Sequence, residues 1–340
     1  MKNNSLYEDL IHLSAFLGSN IDLVQGGGGN TSVKIEGKLF VKASGFWLSD
    51  AGKKNIFTSV EIKNVIKEIK EKCTGSTSTE ILLEKNNLLR PSIETTMHIL
   101  MPHRFVVHFH SVNVLAYAIL KDGYKKIQKK LSGIKFSWIP YVKPGILLTR
   151  KMYNIVNLKA DVIILGNHGI IIGGDTKHEV MHLLSEIENR LKIKPRVVNI
   201  SNLNKMSALL DDSNYKLPKY KFSHSLAFDD VALNHIKNLP LYPDHVIFIG
   251  SSSIPILSIK EFLNYSACYD TNKKNNVIVI KDVGVVVRED FSQSGEDMLH
   301  CLNNVLLRVG LNDKLNYLTK EEINELIDWE PEKYRRSLNN

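Results

Sequence analysis

RFVVHFHSV, residues 104–112, is the stretch on which the reading of this chain turns. Its β-branched and aromatic residues mark a strand. Side chains along a strand alternate between faces, so His108 and His110, two apart, point the same way. Burying two imidazoles unpaired among such apolar neighbours is costly. They are either two ligands of one ion or two hydrogen-bonded core histidines, and spacing alone leaves both open. A third histidine stands in ADVIILGNHGIIIGGD, residues 160–175, which reads as two buried strands joined by a tight turn at Gly166–Gly169. Three histidines with an open fourth position are the donor set of a catalytic rather than a structural zinc site.

Working outward, Glu94 lies fourteen residues before His108, in PSIETTMH, where a helix begins that Pro102 ends. A carboxylate beside a cation can act as general base and acid; the same position suits a glutamate that merely favours the helix N-terminus. Further upstream, QGGGGN (residues 25–30) follows a helix expected over residues 5–19. It precedes a strand pair, TSVKIEGKLFVKAS, turning at Glu36-Gly37. A dinucleotide fingerprint has the opposite order, strand then helix, and no Gly-Lys-Ser/Thr follows as in a phosphate-binding P-loop. The loop is an anion cradle or a plain turn.

Residues 58–73 read as a helix capped by Thr58, Thr74–Thr79 as a loop, and IPYVKPGILL (139–148) as a proline-punctuated connector. Asp175 is expected to cap a helix running to about Arg190. Within it His178-Glu179-Val180-Met181-His182 matches the H-E-x-x-H of zinc peptidases. No H-x-x-G-x-x-H continuation follows, and Glu186, Glu188 and Arg190 give the helix a charged outer face, so the pair reads as surface. The polar, aperiodic stretch 197–222 marks a boundary. It separates a first domain, 1–200, from an α/β extension, 215–340. The extension contains PDHVIFIG, a β-pair in NNVIVIKDVGVVVRED, a helix near 292–309 and one opened by Thr319.

Of 340 residues, 43% are hydrophobic and 24% charged, the balance of a globular chain with a buried core. The net charge of +8 would suit nucleic acid or an anionic small molecule. The lysines are scattered, the densest run (Lys121–Lys130) reads as one solvated helix face, and no RNA-binding signature appears, which favours a phosphorylated metabolite over nucleic acid. Cys73, Cys268 and Cys301 are too far apart for a C-x-x-C pair, which suits a reducing cytoplasm. Glu8 and Asp9 ahead of the first apolar patch reverse the charge order of a signal peptide. Phe105–Leu120 is too short and polar to span a membrane.

Six segments in order resemble the class II aldolase/adducin superfamily, across about residues 5–195. They are GGGGNTSVK, VKASGFWLSD, RPSIETTMH, VVHFHSVNVLA, IPYVKPG and LGNHGIIIGGDTKHEVMHLLSEIE. The resemblance implies a three-layer α/β/α fold with a central, mostly antiparallel sheet, and homotetramers whose sites lie at subunit borders. It implies that His108, His110 and His168 bind Zn2+, or Mn2+ or Co2+. It places Glu94 at the proton-transferring acid and Gly28, Gly29, Asn30, Ser44, Gly45 and Ser92 on a substrate-phosphate pocket. Ile93 departs from the pattern, standing where a second serine is usual.

PDHVIFIG, VIVIKDVGVVV and LIDWEPEKYRRS resemble the end of the aldolase portion in bacterial proteins fused to a short-chain dehydrogenase. No dehydrogenase segment follows here, so no nicotinamide cofactor is expected. The implied activity is cleavage or formation of a C–C bond in a sugar or sugar phosphate through a metal-stabilised enediolate. Tyr117 and Tyr141 are the tyrosines considered for protonating the leaving aldehyde. A sugar-phosphate 4-epimerase or a decarboxylase of the same fold is the alternative chemistry, although epimerases typically carry aspartate where Glu94 stands. A non-catalytic adducin-like scaffold is the alternative of another class, against which the intact ligand set counts.

Overall fold

Turn chemistry lays out the first sheet. Strands β1 (Asn30–Ile35) and β2 (Lys38–Lys42) are joined through Glu36 and Gly37, whose φ angles of 48° and 79° belong to the turn type that matches strand twist. β3 (Phe57–Glu61), β4 (Phe105–Phe109), β5 (Phe136–Ile139), β6 (Val162–Leu165) and β7 (Gly169–Gly174) complete it. The order is β3-β2-β1-β4-β7-β6-β5. Every pairing is antiparallel except β5 with β6. This computed structural model describes residues 2–74, 89–155, 160–201, 203–211, 213–238, 240–267 and 275–338. Cys268 and the loop expected after Thr74 fall outside them.

Alternation along the central strands builds two layers of core. Phe105, Val107 and Phe109 of β4 and Ile170 and Ile172 of β7 face the helices Lys2–Gly18 and Lys177–Leu191, meeting Leu10, Leu13, Val180 and Ile187. Val106 and Ile171 face the other way, against Met97 and Met101 at the helix Thr95–Leu100 and Leu148 and Met152 of Ile146–Ile155. Helices therefore cover both faces, giving the α/β/α architecture. Each such large apolar side chain contributes about 1.5–3 kcal/mol on burial. His108 shares Val106's parity, which puts it on the second face.

Some boundaries differ from the sequence expectation. Thr58 lies within β3, paired with Val41, and the helix begins only at Ile62. Ile139 ends a strand and Ile146–Leu148 open a helix, so the expected connector is only the middle of that segment. The cap of the helix after β7 is Thr176 rather than Asp175: its hydroxyl accepts from the Glu179 amide, and Glu179 returns to the Thr176 amide. That spends Glu179 of the H-E-x-x-H match, and His178 and His182 are exposed.

In the extension β8 (Tyr215–Lys216), β9 (Ile256–Leu257), β10 (Val277–Ile280) and β11 (Gly284–Arg288) form a second sheet, ordered β8-β11-β10-β9. The helix Gln293–Leu306 sends Met298, Leu299, Leu302 and Val305 into the same apolar cluster as Val107 and Ile172. Residues His245–Ile249 make a buried π-helical turn. Thr319 caps Lys320–Ile327, and a last helix, Glu330–Ser337, was not foreseen. Among the described residues no helix is long and apolar enough to cross a membrane.

Candidate metal centre

β4 carries His108 near its end, and His110 follows just beyond it. β4 pairs with β7 in the register His108↔Ile171 and Phe109↔Ile170, which brings the β6–β7 turn and His168 alongside. Gly169 permits the approach: a Cβ there would lie 2.6 Å from the Phe109 carbonyl oxygen and 2.9 Å from Cδ2 of His110. Asn167 takes the left-handed conformation (φ 51°), and its amide donates to the carbonyls of Leu241 and Asn316, each at 2.8 Å. The turn is thus pinned from the extension.

The three imidazoles are buried, and one ring nitrogen from each lies within 4.8 Å of the others. Nδ1 of His108 donates to the Ile170 carbonyl at 3.0 Å, leaving the Nε2 lone pair to face the cluster. Nε2 of His108 and Nε2 of His110 are 3.1 Å apart. Zinc–nitrogen bonds of about 2.0–2.1 Å in a tetrahedron separate the nitrogens by about 3.4 Å, so little movement is needed for the set to fit a cation. Burial pushes the His108 imidazole down to about 3, keeping it in the neutral, ligating form. Oε1 of Glu94 lies 3.4 Å from Nε2 of both His108 and His168. Burial alone would raise this carboxyl, but the neighbouring His108, His168 and His110 outweigh it and hold it below the usual carboxylate range. An ionised carboxylate therefore stands beside the ring nitrogens of His108 and His168.

A family model of the class II aldolase and adducin N-terminal domain matches residues 8–194. The chain belongs to this family. A relative described as an uncharacterized oxidoreductase, YuxG of Bacillus subtilis (strain 168), is 30% identical over 186 residues, covering 50% of this chain and 26% of the relative. The chain thus spans about a quarter of that protein. The N-terminal class II aldolase domain of a conserved protein from Thermoplasma acidophilum is 27% identical, with a TM-score of 0.46, over 54% of this chain and 90% of the other. L-fuculose-1-phosphate aldolase from Thermus thermophilus is 17% identical, with a TM-score of 0.36, over 55% and 91%.

Beside the histidines of this class II aldolase-family chain lies a cleft lined by Gly29, Lys42, Ser44, Gly45, Ser92, Ile93, Glu94 and His168. Ser44 and Ser92 meet because the amide of Ser44 donates to the Arg90 carbonyl and Ala43 bridges to Pro91. Of the residues expected on a phosphate pocket, Gly29, Ser44, Gly45 and Ser92 share this cleft. Gly28 and Asn30 do not line it: Gly28 packs against Asp244 and His110, and Asn30 is fully buried opposite His108. Neither tyrosine lines the cleft either. Tyr117 packs in the large core beneath Lys130, and Tyr141 is partly buried, its hydroxyl pushed up by burial and by the acidic Glu322, Glu325 and Glu332.

Sequence reasoning missed four charged residues here. Lys42, 2% exposed, donates Nζ to the carbonyls of Gly27 (2.9 Å) and Phe46 (2.7 Å), and burial pushes its amine down to about 7. Asp244, Glu332 and Arg335 reach the cleft from the extension. The Arg335 guanidinium contacts Asp244 and lies 2.8 Å from Glu332. Alternation could not have marked Lys42, since Lys38 and Phe40, which share its parity in β2, are exposed and half-buried while Leu39 and Val41 of the other parity are buried; the other three are lone charges in the extension.

Proposed function

We propose that the chain is a metal-dependent aldolase that cleaves or forms a C–C bond in a sugar or sugar phosphate. The observation that carries this reading is the convergence of three buried imidazoles, with the Glu94 carboxylate 3.4 Å from Nε2 of two of them, His108 and His168. His108, His110 and His168 would hold the cation, Zn2+ by donor type, with Mn2+ or Co2+ as alternatives. A bound divalent cation supplies Lewis-acid stabilisation of the negative charge that develops on the substrate's carbonyl oxygen as the bond breaks.

Glu94 takes the proton from, or returns it to, the carbon that carries the carbanion. Its carboxylate is 3.4 Å from Nε2 of His108 and His168, and Glu94 lines the same cleft as Ser44 and Ser92. Lys42, Ser44 and Ser92 supply an amine and two hydroxyls for an anionic or polyhydroxylated tail, and the Gly29 backbone leaves room beside them. A glutamate rather than an aspartate at position 94 favours the aldolase over the 4-epimerase.

The cleft measures ≈ 20 Å³, room for little more than one water, because Pro243, Asp244, Pro331, Glu332 and Arg335 roof it. Pockets that bind small molecules are of the order of 300 Å³ or more, so the roof must move to admit a sugar. The test is a retro-aldol screen of free and phosphorylated sugars with zinc, manganese or cobalt restored. Glu94→Gln should retain the metal and lose about 100-fold or more in turnover. Undiminished turnover in that variant rejects the role of Glu94, and a metal-loaded protein that cleaves none of these sugars rejects the aldolase reading.

A further inference from the structure

Asp244 lies in the extension, yet its Oδ2 is 3.2 Å from Nδ1 of His110, and both residues are buried. It stands at the head of the buried π-helical turn His245–Ile249, a distortion often found at functional sites, so it is held by packing rather than by a surface loop. Its other oxygen takes the Arg335 guanidinium, and Arg335 is braced in turn by Glu332 at 2.8 Å, both on the helix Glu330–Ser337. Gly28 leaves the room: a Cβ there would come within 3.1 Å of Oδ2 of Asp244 and 3.4 Å of Nδ1 of His110.

A neutral imidazole binds a cation only through the nitrogen that lacks the proton. For His108 that choice is fixed by the Ile170 carbonyl, which accepts from Nδ1. For His110 the group beside Nδ1 is the Asp244 carboxylate, whose buried Oδ2 has no other hydrogen-bond partner and which would place a second negative charge close to a bound ion. We propose that Asp244 is a positioning residue of the metal centre: it takes the hydrogen bond from Nδ1 of His110, aims Nε2 at the cation, and is held there by Arg335 on the last helix. The extension thereby sets how tightly the metal is gripped. This rests on the metal-site reading above.

The experiment measures zinc affinity by competition with a chromophoric chelator, and the d–d spectrum of the cobalt-loaded protein. It compares the full-length wild type, Asp244→Asn, Arg335→Met and His168→Ala. An asparagine can turn its N–H toward His110 and favour the tautomer whose Nε2 is protonated. Asp244→Asn should therefore bind zinc about 10- to 100-fold more weakly and alter the cobalt spectrum, while its thermal unfolding stays cooperative. Arg335→Met, which keeps the carboxylate but frees it, should weaken zinc by a smaller factor and speed its loss to the chelator; it also serves as the test should Asp244→Asn not fold. Wild-type zinc affinity in both variants overturns the proposal while leaving the metal site intact. A wild type that takes up no more zinc than His168→Ala overturns the metal-site reading itself.

Discussion

Adding one methyl at Gly169 should damage the site without touching a charged group. A Cβ there would lie 2.6 Å from the Phe109 carbonyl oxygen, 2.9 Å from Cδ2 of His110 and 3.4 Å from Cε1 of His108. Comfortable non-bonded contacts between carbons are about 3.5–4.0 Å, so the two nearest neighbours must yield by roughly 0.6–0.9 Å. The carbonyl belongs to the backbone of β4, fixed by its pairing with β7, which leaves the β6–β7 turn and the His110 ring to move. Overpacking of this kind costs about 1–3 kcal/mol, and a shift beyond about 0.5 Å already exceeds what a preorganised site tolerates. Gly169→Ala should therefore lose about 1–3 kcal/mol in urea titrations and bind zinc at least about tenfold more weakly. Gly37→Ala is the control: φ is 79° with nothing within 4 Å, so it should cost about 1–2 kcal/mol through the backbone alone and leave zinc binding unchanged. If Gly169→Ala is no less stable than Gly37→Ala and binds zinc as the wild type does, the close packing of turn on strand is not what places His168.

Substitutions at two further positions test the surroundings. Burial pushes the Lys42 amine from its ordinary 10.5 down to about 7, so the folded chain binds fewer protons than the unfolded one across that interval, and Lys42's contribution to stability rises with pH between them. The unfolding free energy of the wild type relative to Lys42→Met should climb by up to about 1.4 kcal/mol per pH unit from pH 7 to 10; a flat difference in urea titrations at pH 7, 8 and 9 would mean that Lys42 stays charged. Asn167→Ala loses two hydrogen bonds and a residue tolerant of positive φ, about 2–4 kcal/mol in all, whereas Asn167→Gly keeps the backbone freedom and should lose about 1 kcal/mol less; equal losses in chemical denaturation would refute this account of the turn.

What the sequence made legible is what local periodicity encodes. The i, i+2 histidines, the glycine-flanked turn of His168 and the Glu36-Gly37 hairpin all declare themselves within a few residues, and the sheet follows from them. β3 escaped because FTSVE runs straight into a helix, and β-branched residues at a helix start look like a cap followed by a first turn. β5 escaped because Phe136, Ser137 and Trp138 are all half-buried, so no alternation marks the strand. Asp244 and Arg335 were invisible for a different reason. Each is a lone charge in a segment whose pattern is set by neighbours, and its partner lies far along the chain, where spacing carries no information.

The chemistry is divided between the two parts of the sequence. Residues before 200 supply the three imidazoles, Glu94, Lys42 and the serines. Residues after 215 supply the carboxylate beside His110, the carbonyl contacts that pin Asn167 and the roof of the cleft. The junction is tied as well: the Arg196 guanidinium pairs with Asp229 at 2.8 and 2.7 Å and donates to the Leu306 carbonyl at 2.9 Å. Arg335 holds Asp244 and also lines the roof, so on the proposed reading the helix that would lift to admit a sugar is the helix that steadies His110's neighbour. On that reading, opening the cleft and loosening the grip on a bound metal would be linked movements, and a substrate whose own negative group replaces Asp244 as partner to Arg335 would uncouple them.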